Sequence, residues 1–428
     1  MNVLITDYQQ AIRLFSRDVR MYLLTSALFG LSYFGFVSVL LNLYLLRLDY
    51  GTDFIGLANG STALAFALCS VPAGAIGGRW GYRRTAVAGV VLISTGTILL
   101  PLMEYLPNAG RDAGIVITRL LSGLGFSLYF VNTTPYLVAA TTPKERTYVF
   151  SLQGALMPLT GFGGSLLAGI LPGILAPWLA VDADHPAPFG YALILAGLLL
   201  LPAVFILLST QDVVVKQPNA AAEAESKQIV APYLLIFFLA LTAMLRMAGE
   251  GAARSFFNVY LDIGLGEPTT QIGLLVAFGQ LAAGPAALIA PGLAGRVGKI
   301  PAIVISTLAT AASLLLLGLF PHWAVAGLGF AGVIGMRAIT QAVANVVQME
   351  IVPESWRGPT SGIISMSMGI GFTSMALGGG YLIPIINFQG LYFIAAGMVT
   401  ASALFFWFYF RRPRGEYEQE DDTQLKVA

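Results

Sequence analysis

Long runs of apolar residues alternate with short polar segments along the whole chain. Each run holds roughly 20 residues or more, the length that an α-helix needs to cross about 30 Å of hydrocarbon. About twelve runs can be counted, at 21–46, 54–77, 85–106, 114–140, 150–176, 188–209, 231–261, 269–294, 301–320, 323–351, 359–386 and 390–410. The pattern predicts an all-α integral membrane protein with twelve transmembrane helices.

A longer polar stretch between the sixth and seventh runs predicts how the chain is divided. The expected parts are an N-terminal segment 1–20, a six-helix bundle 21–209, a linker 210–230, a second six-helix bundle 231–410 and a tail 411–428. The first run is full length and has no small-residue cleavage site, so we expect it to remain as a helix rather than to be removed as a signal peptide.

The composition supports a membrane protein and excludes several other classes. Hydrophobic residues make up 57% of the chain and charged residues 11%, whereas soluble domains carry roughly 25% charged residues. The formal net charge of +1 gives no reason to expect a nucleic-acid partner. One cysteine, Cys69, and two histidines cannot form an intrachain disulfide or a zinc site of the His/Cys type. We expect no metal and no cofactor, a lipid bilayer as surroundings, and a functional monomer.

The distribution of Lys and Arg outside the runs predicts the orientation. Seventeen of these residues fall on one side of the membrane and only Arg47 and Arg111 on the other. Because positive loops stay inside, we expect a multi-pass protein of the cytoplasmic (inner) membrane with both termini, the linker and the tail in the cytoplasm.

The two halves repeat one another at an offset of about 216 residues. LNLYL at 41–45 recurs as FNVYL at 257–261, and GGRWGY at 77–82 recurs as AGRVGK at 294–299. PKER at 143–146 is echoed by PESWRG at 353–358. Three matches in the same order indicate a duplicated six-helix unit, which suits a transporter because two similar bundles can rock about a site between them.

The loop GAIGGRWGYRR at 74–84 resembles the signature loop of the major facilitator superfamily, and the chain resembles that family from end to end. RLLSGLG at 119–125 resembles the family's fourth-helix arginine motif, and GALMPLTGFGG at 154–164 partly resembles its fifth-helix antiporter motif. The resemblance implies two six-helix bundles, transport by alternating access, and a central cavity lined by the first, fourth, seventh and tenth helices.

The signature loop departs from the family pattern at Gly78, where an acidic residue is usual, and Gly295 occupies the matching place in the second half. In the family, the acid helps to hold the cytoplasmic side shut. Here the arginines of the loop would instead meet helix C-termini or Glu145, or would only set the topology. The expected gating residues are Gly74, Gly78, Arg79, Gly81, Arg83, Arg84, Glu145 and Arg296.

Five ionisable residues lie well inside the runs, on the fourth, seventh and tenth helices. They are Arg119, Arg246, Glu250, Arg254 and Arg337. Each would cost roughly 2.5 to 3.5 kcal/mol at the centre of a lipid-facing helix, so they are expected to face protein or a water-filled cavity. Four arginines and one glutamate give this cavity a net charge of +3.

Three of these charges share one face of the seventh helix. Arg246, Glu250 and Arg254 follow one another at spacing four, with Asn258 one turn further, so Glu250 can pair in both directions. The cluster is either a self-contained network that locks helices together or a binding and coupling site that a substrate anion completes. Glu250 would act as an ionised gate or, if the arginines separate during the cycle, as a proton carrier.

Aromatic and small polar residues near the same level would supply apolar walls and hydrogen-bonding groups for a small organic molecule. These candidates are Tyr33, Phe34, Asn42, Tyr129, Asn132, Tyr136, Gln341 and Asn345. Each is also compatible with ordinary helix packing.

The sequence contains no HExxH, no paired aspartates within the runs and no Ser/His pair at membrane depth, so an intramembrane enzyme is not expected. A receptor-like sensor is an open alternative. The main hypothesis is a secondary transporter, coupled to protons, for a small solute with an anionic group. The second hypothesis is a drug-type proton antiporter that exports lipophilic compounds.

Overall fold

A computed structural model describes residues 15–212, 232–353 and 356–411, and every regular element in these residues is helical. The predicted N-terminal segment, linker and tail therefore lie largely outside the described residues. Eleven helices of the described part are long and apolar enough to cross a membrane. They are α1 (Arg17–Arg47), α2 (Thr52–Trp80), α3 (Tyr82–Tyr105), α4 (Asn108–Ala139), α5 (Pro143–Trp178), α6 (Pro186–Leu208), α7 (Tyr233–Gly264), α8 (Thr269–Val297), α9 (Lys299–Leu319), α10 (Trp323–Ile351) and α11 (Arg357–Phe410). The prediction of an all-α membrane protein is confirmed.

The helical stretch α11 is interrupted at Asn387, where φ is 60° and ψ is 175°. Its 54 residues would extend about 80 Å as one straight helix, far more than the roughly 30 Å of a bilayer core. The segments on either side, 357–386 and 388–410, are each long enough to span. The break falls between the last two hydrophobic runs.

Matching turns connect α2 to α3 and α8 to α9. Gly81 and Gly298 have φ of 97° and 90°, in the region that glycine adopts without a Cβ clash. Their N–H groups donate to Gly77 O and Ala294 O, respectively, at 3.0 Å in both turns. The GRWG and GRVG sequences thus form the same local structure in the two halves.

The two halves meet through small residues. A Cβ added to Gly56 of α2 would lie 2.2 Å from Ala376 O of α11, and one added to Gly273 of α8 would lie 2.6 Å from the Cα of Gly169 in α5. Such close approach of backbones is typical of membrane helices packed on glycine. These contacts lie toward the side of the molecule where α1 ends and α2 begins, here termed the α1–α2 side.

Buried clusters show that the halves join on one side only. The largest apolar cluster combines Leu40 and Tyr44 of α1 with Phe256 and Tyr260 of α7. On the opposite side, termed the α2–α3 side, each half has its own cluster: one around Tyr22 and the other around residues such as Val343. The structure is therefore closed on the α1–α2 side and separated on the α2–α3 side.

Helix α1 contains a π-helical segment at Gly30–Val37. Ser38 directly follows this segment, and its hydroxyl donates to Gly35 O at 3.0 Å. π segments are rare and frequently occur at functional sites. This one carries Tyr33 and Phe34 at the middle of α1.

Candidate functional site

Glu250 is the centre of the charged cluster. It is fully buried, and its Oε2 lies 2.9 Å from Arg337 Nε of α10, while its Oε1 lies 3.8 Å from Arg246 Nε one turn earlier on α7. Neither oxygen accepts a well-aligned hydrogen bond from a described residue. The carboxylate is therefore held mainly by charge, between two helices of the second half.

Arg254 extends into the space between the halves. It is exposed, although its neighbours from Met247 to Leu261 on the same helix are buried. Its charged and polar surroundings are Arg337, Glu250 and, from the first half, Tyr33. No described residue forms an ion pair or a hydrogen bond with Arg254, so its guanidinium is exposed and unpaired within the described part of the chain.

Arg119 belongs to the first half and is almost completely buried, at 4% exposure. Its Nη2 donates to the Tyr33 hydroxyl at 3.3 Å and its Nε to Ala58 O at 3.4 Å. No carboxylate of a described residue lies within ion-pair distance. Of the five predicted ionisable residues, Glu250 thus contacts Arg246 and Arg337, whereas Arg119 is held inside the first half.

The first half contributes an aromatic surface. Tyr33 and Phe34 are half-buried. The rings of Tyr33 and Phe126 pack in a T-shaped arrangement with their centroids 4.3 Å apart. Phe126 stacks on Phe130 at 5.4 Å, and both are also half-buried. Phe126 and Phe130 were not among the predicted residues; their spacing of four on the helix of Arg119 was the available signal.

Asn42 and Asn258 bind the two halves together. Asn42 Nδ2 donates to Asn258 Oδ1 at 2.9 Å and to Ser255 O at 2.7 Å. In return, Asn258 Nδ2 donates to Val39 O at 3.0 Å. Asn42 and Asn258 are 216 residues apart, and so are Val39 and Ser255. The two bonds are therefore related by the pseudo-twofold axis of the repeat. Asn59, which sequence reasoning missed, donates to Asn42 Oδ1 at 2.9 Å.

An ion pair across the halves and a half-buried tyrosine of the first half also lie on the α1–α2 side. Arg47 donates two hydrogen bonds to Asp262 across the halves, at 2.6 and 2.8 Å, and pairs with Asp184 at 3.1 Å. In the turn before α2, Tyr50 donates to Asp112. Burial, followed by this hydrogen bond, raises the pKa of Tyr50 to about 12, so it remains a neutral donor at physiological pH.

Three predicted residues lie inside the first bundle instead of on the cavity. Tyr129 and Tyr136 are fully buried and belong to a group of rings that includes Phe29 and Tyr22. Asn132 donates to Ala73 O of α2 at 3.1 Å and to Leu128 O on its own helix. The structure gives these side chains a packing role.

Gln341 and Asn345 lie on the path from the α2–α3 side to the charged cluster. Gln341 donates to Asn345 at 2.7 Å. An open cavity of about 640 Å³ is lined by Asn345, Val346, Met349, Glu350 and Arg357. A narrow crevice lined by Gln341, Asn345 and Gln348 continues from this region to Arg246.

The signature loop is tied to its own half. Arg83 donates to Leu208 O at the end of α6 and to Asp212 at 3.1 Å, and Arg84 lies 3.5 Å from Asp212. The predicted contact with a helix C-terminus is thus present, but Glu145 does not meet the arginines. Glu145 instead accepts hydrogen bonds from the backbone and hydroxyl of Thr142 in a capping box.

The other loop positions are open. A Cβ at Gly78 or Gly295 would meet nothing within 4 Å, and one at Gly74 would meet only Val131 at 3.5 Å. Arg79 and Arg296 are exposed. No contact between these residues and the opposite half is present in the described part of the chain.

The model for the Major Facilitator Superfamily matches residues 22–266 and 239–426. An uncharacterised MFS-type transporter of Methanocaldococcus jannaschii is 20% identical over 372 residues, which cover 85% of this chain and 90% of the relative.

Solved structures share the fold at low sequence identity. A D-xylose-proton symporter has a TM-score of 0.70 and 17% identity, covering 94% of this chain and 97% of its own. A nucleoside transporter has a TM-score of 0.72 and 16% identity, covering 92% and 100%. A bacterial homologue of the human lysosomal transporter Spinster, inward-facing and occupied, has a TM-score of 0.71 and 14% identity, covering 92% and 96%.

Proposed function

The chain belongs to the major facilitator superfamily of transporters, and we propose that it is a secondary transporter for a small organic solute that carries an anionic group. The observation that supports this most strongly is the uncompensated charge of the central cavity. Arg246 and Arg337 share the single carboxylate of Glu250, and the exposed Arg254 has no carboxylate partner among the described residues.

The charge argument rests on the position of the cluster. Tyr33, Glu250 and Arg337 lie near the middle of α1, α7 and α10, where transporters of this architecture bind substrate. Cationic side chains at that depth are costly unless water or an anion compensates them. A substrate anion beside Arg254 and Arg337 would lower the net charge and gain charge-assisted hydrogen bonds.

The proposed topology has twelve spans, with α11 crossing twice because of its break at Asn387. Both termini and the α2–α3 side are then cytoplasmic, in the inner membrane, as the positive loops favour. The separation of the halves on that side corresponds to an inward-facing state, and the fold neighbours include a xylose transporter from E. coli in an inward open conformation. Transport then requires release of the contacts made by Asn42 and Arg47.

Coupling is proposed to depend on Glu250, the one carboxylate that the described residues place in the cluster. If Arg337 stays beside it, Glu250 remains ionised and competes with the substrate anion for that arginine. If Arg337 and Arg246 move away during the cycle, the buried carboxyl can take a proton. Both versions make export or import depend on the Glu250–Arg337 contact.

A binding screen with charge variants tests the proposal. Purified protein is heated with organic anions, lipophilic drugs and lysolipids at two pH values, because a ligand that binds the folded state raises the melting temperature. Arg254→Gln should weaken binding of an anionic hit about tenfold or more, the contribution of one charge-assisted hydrogen bond. Arg17→Gln, which removes an exposed arginine at the start of α1, is the matched control.

A drug-type proton antiporter is the second candidate, favoured by the half-buried rings of Tyr33, Phe34 and Phe126 beside the cavity. It predicts that neutral lipophilic compounds bind, that Arg254→Gln leaves their affinity unchanged, and that Glu250→Gln abolishes their pH-dependent efflux. This combination of results would replace the anion proposal.

A further inference from the structure

We propose that the substrate is an amphipathic anion, in which one carboxylate is attached to a flat apolar ring. This inference rests on the proposed function and narrows it. It comes from the juxtaposition of two unlike walls: the exposed Arg254 and the partly exposed Arg337 on the second half, and half-buried aromatic rings on the first.

The charged wall offers a small number of donors. Arg254 has no partner among the described residues. Arg337 pairs with Glu250 through its Nε, and its two terminal nitrogens donate no hydrogen bond within the described residues. Arg119 is buried against Tyr33 and Ala58 and is out of reach of a ligand. Because Arg337 is already paired with Glu250, one carboxylate balances the unpaired charge of Arg254, from which it can accept two parallel hydrogen bonds.

The aromatic wall lies on α1 and α4, and Asn258 Nδ2 of α7 donates to Ser38 O of α1 at 3.2 Å, one turn beyond Arg254 and Phe34 on the two helices. Tyr33, Phe34, Phe126 and Phe130 are each half-buried, and successive ring centroids lie 4.3 to 6.3 Å apart. Their exposed faces provide apolar surface and stacking geometry. A strongly hydroxylated solute would leave its polar groups unpaired against this wall, which is costly.

Tyr33 marks the junction between the two walls. Its hydroxyl accepts a hydrogen bond from Arg119 at 3.3 Å, its ring contacts Phe126, and its hydroxyl is among the groups that act electrostatically on Arg254. It lies within the π segment Gly30–Val37. A ligand that spans both walls must pass Tyr33.

The test uses three probes of similar size with the full-length protein in detergent: 3-phenylpropionate, its neutral amide, and gluconate. Phenylpropionate should bind most tightly, because the amide lacks the charge and gluconate lacks the ring. Phe126→Leu should weaken phenylpropionate binding roughly three- to tenfold, the loss of one aromatic contact, without changing gluconate binding. Phe205→Leu, at a ring that is 70% exposed on α6, is the matched control.

Tyr33 supplies a second variant that keeps the ring. Tyr33→Phe should retain the preference for phenylpropionate over gluconate, whereas Tyr33→Leu should lose it. If gluconate binds as well as phenylpropionate and Phe126→Leu affects both equally, the amphipathic proposal is wrong while the anion proposal stands. If neither anion binds and the amide does, the anionic substrate itself is wrong.

Discussion

At the residue scale, Glu250 combines full burial with contacts to two arginines on two helices. Glu250→Gln keeps the shape of the side chain but raises the net charge of the cavity by one. An anion should therefore bind as well or better, whereas its release or its coupling to protons should fail. Arg337 is 31% exposed, so water can partly solvate it and the stability cost should stay below the roughly 3–5 kcal/mol of breaking a fully buried pair.

The measurement compares two assays in proteoliposomes. Exchange of labelled for unlabelled substrate should survive in Glu250→Gln, while net accumulation against a gradient should disappear. If Glu250→Gln accumulated substrate to the wild-type level with the wild-type pH dependence, Glu250 would take no part in coupling.

Sequence reasoning identified the depth of a residue better than the direction of its side chain. The charged residues could be assigned to the interior of the protein because lipid excludes them energetically. Tyr129 and Asn132 lie at a suitable depth but face α1 and α2 inside the first bundle, and an uncharged side chain carries no comparable penalty in either direction. The contact between Asn42 and Asn258 required the pairing of two distant helices, which the repeat alone did not specify.

At the element scale, the contact between α5 and α8 controls how closely the halves approach. A methyl group at Gly273 would lie 2.6 Å from the Cα of Gly169 and 2.7 Å from Ser165 O. Gly273→Ala should therefore push the helices apart on the α1–α2 side and shift the access equilibrium by about 1–3 kcal/mol. Gly173→Ala, one turn from Gly169 on α5, has nothing within 4 Å and is the matched control.

Thiol labelling in whole cells measures this shift. Ser255→Cys in a Cys69→Ser background places a reporter between the halves, where Ser255 is only 1% exposed. A membrane-impermeant reagent added outside should label the reporter faster in Gly273→Ala than in Gly173→Ala. Equal rates would contradict the view that this glycine contact holds the α1–α2 side closed.

Hydrophobic runs predicted the helices well because lipid imposes length and composition directly. Helix ends were less accurate. Helix α5 begins at Pro143, seven residues before the predicted run, because the Thr142 capping box allows a polar first turn. The π segment in α1 left no trace in the hydropathy pattern, since it changes hydrogen bonding without changing composition.

At the scale of the whole molecule, the first bundle includes the beginning of the predicted linker. Arg83 donates to Thr210 O and Asp212, and the N–H of Gln211 donates to Asp18 at 3.0 Å. The two halves should therefore assemble as separate chains when the break falls after Asp212, since the shared apolar cluster rejoins them.

Co-expression of differently tagged halves tests this prediction. Chains 1–212 and 232–428 should copurify and retain binding, whereas chain 1–209, which lacks Asp212, should give a less stable first half. Failure of both pairs to copurify would mean that the covalent link, rather than the shared cluster, holds the halves together.

The asparagine pair has a further consequence for how such a molecule can originate. Each asparagine donates to a backbone carbonyl of the other half at the equivalent position, so two identical six-helix chains could form the same bonds across a true twofold axis. Arg246, Glu250 and Arg254 could not be shared in that way, because a homodimer would place six charges of this motif in one cavity. The asparagine pair is therefore compatible with an ancestral homodimer of two six-helix subunits. The charged cluster instead requires two halves that are encoded in one chain, so that their sequences can diverge.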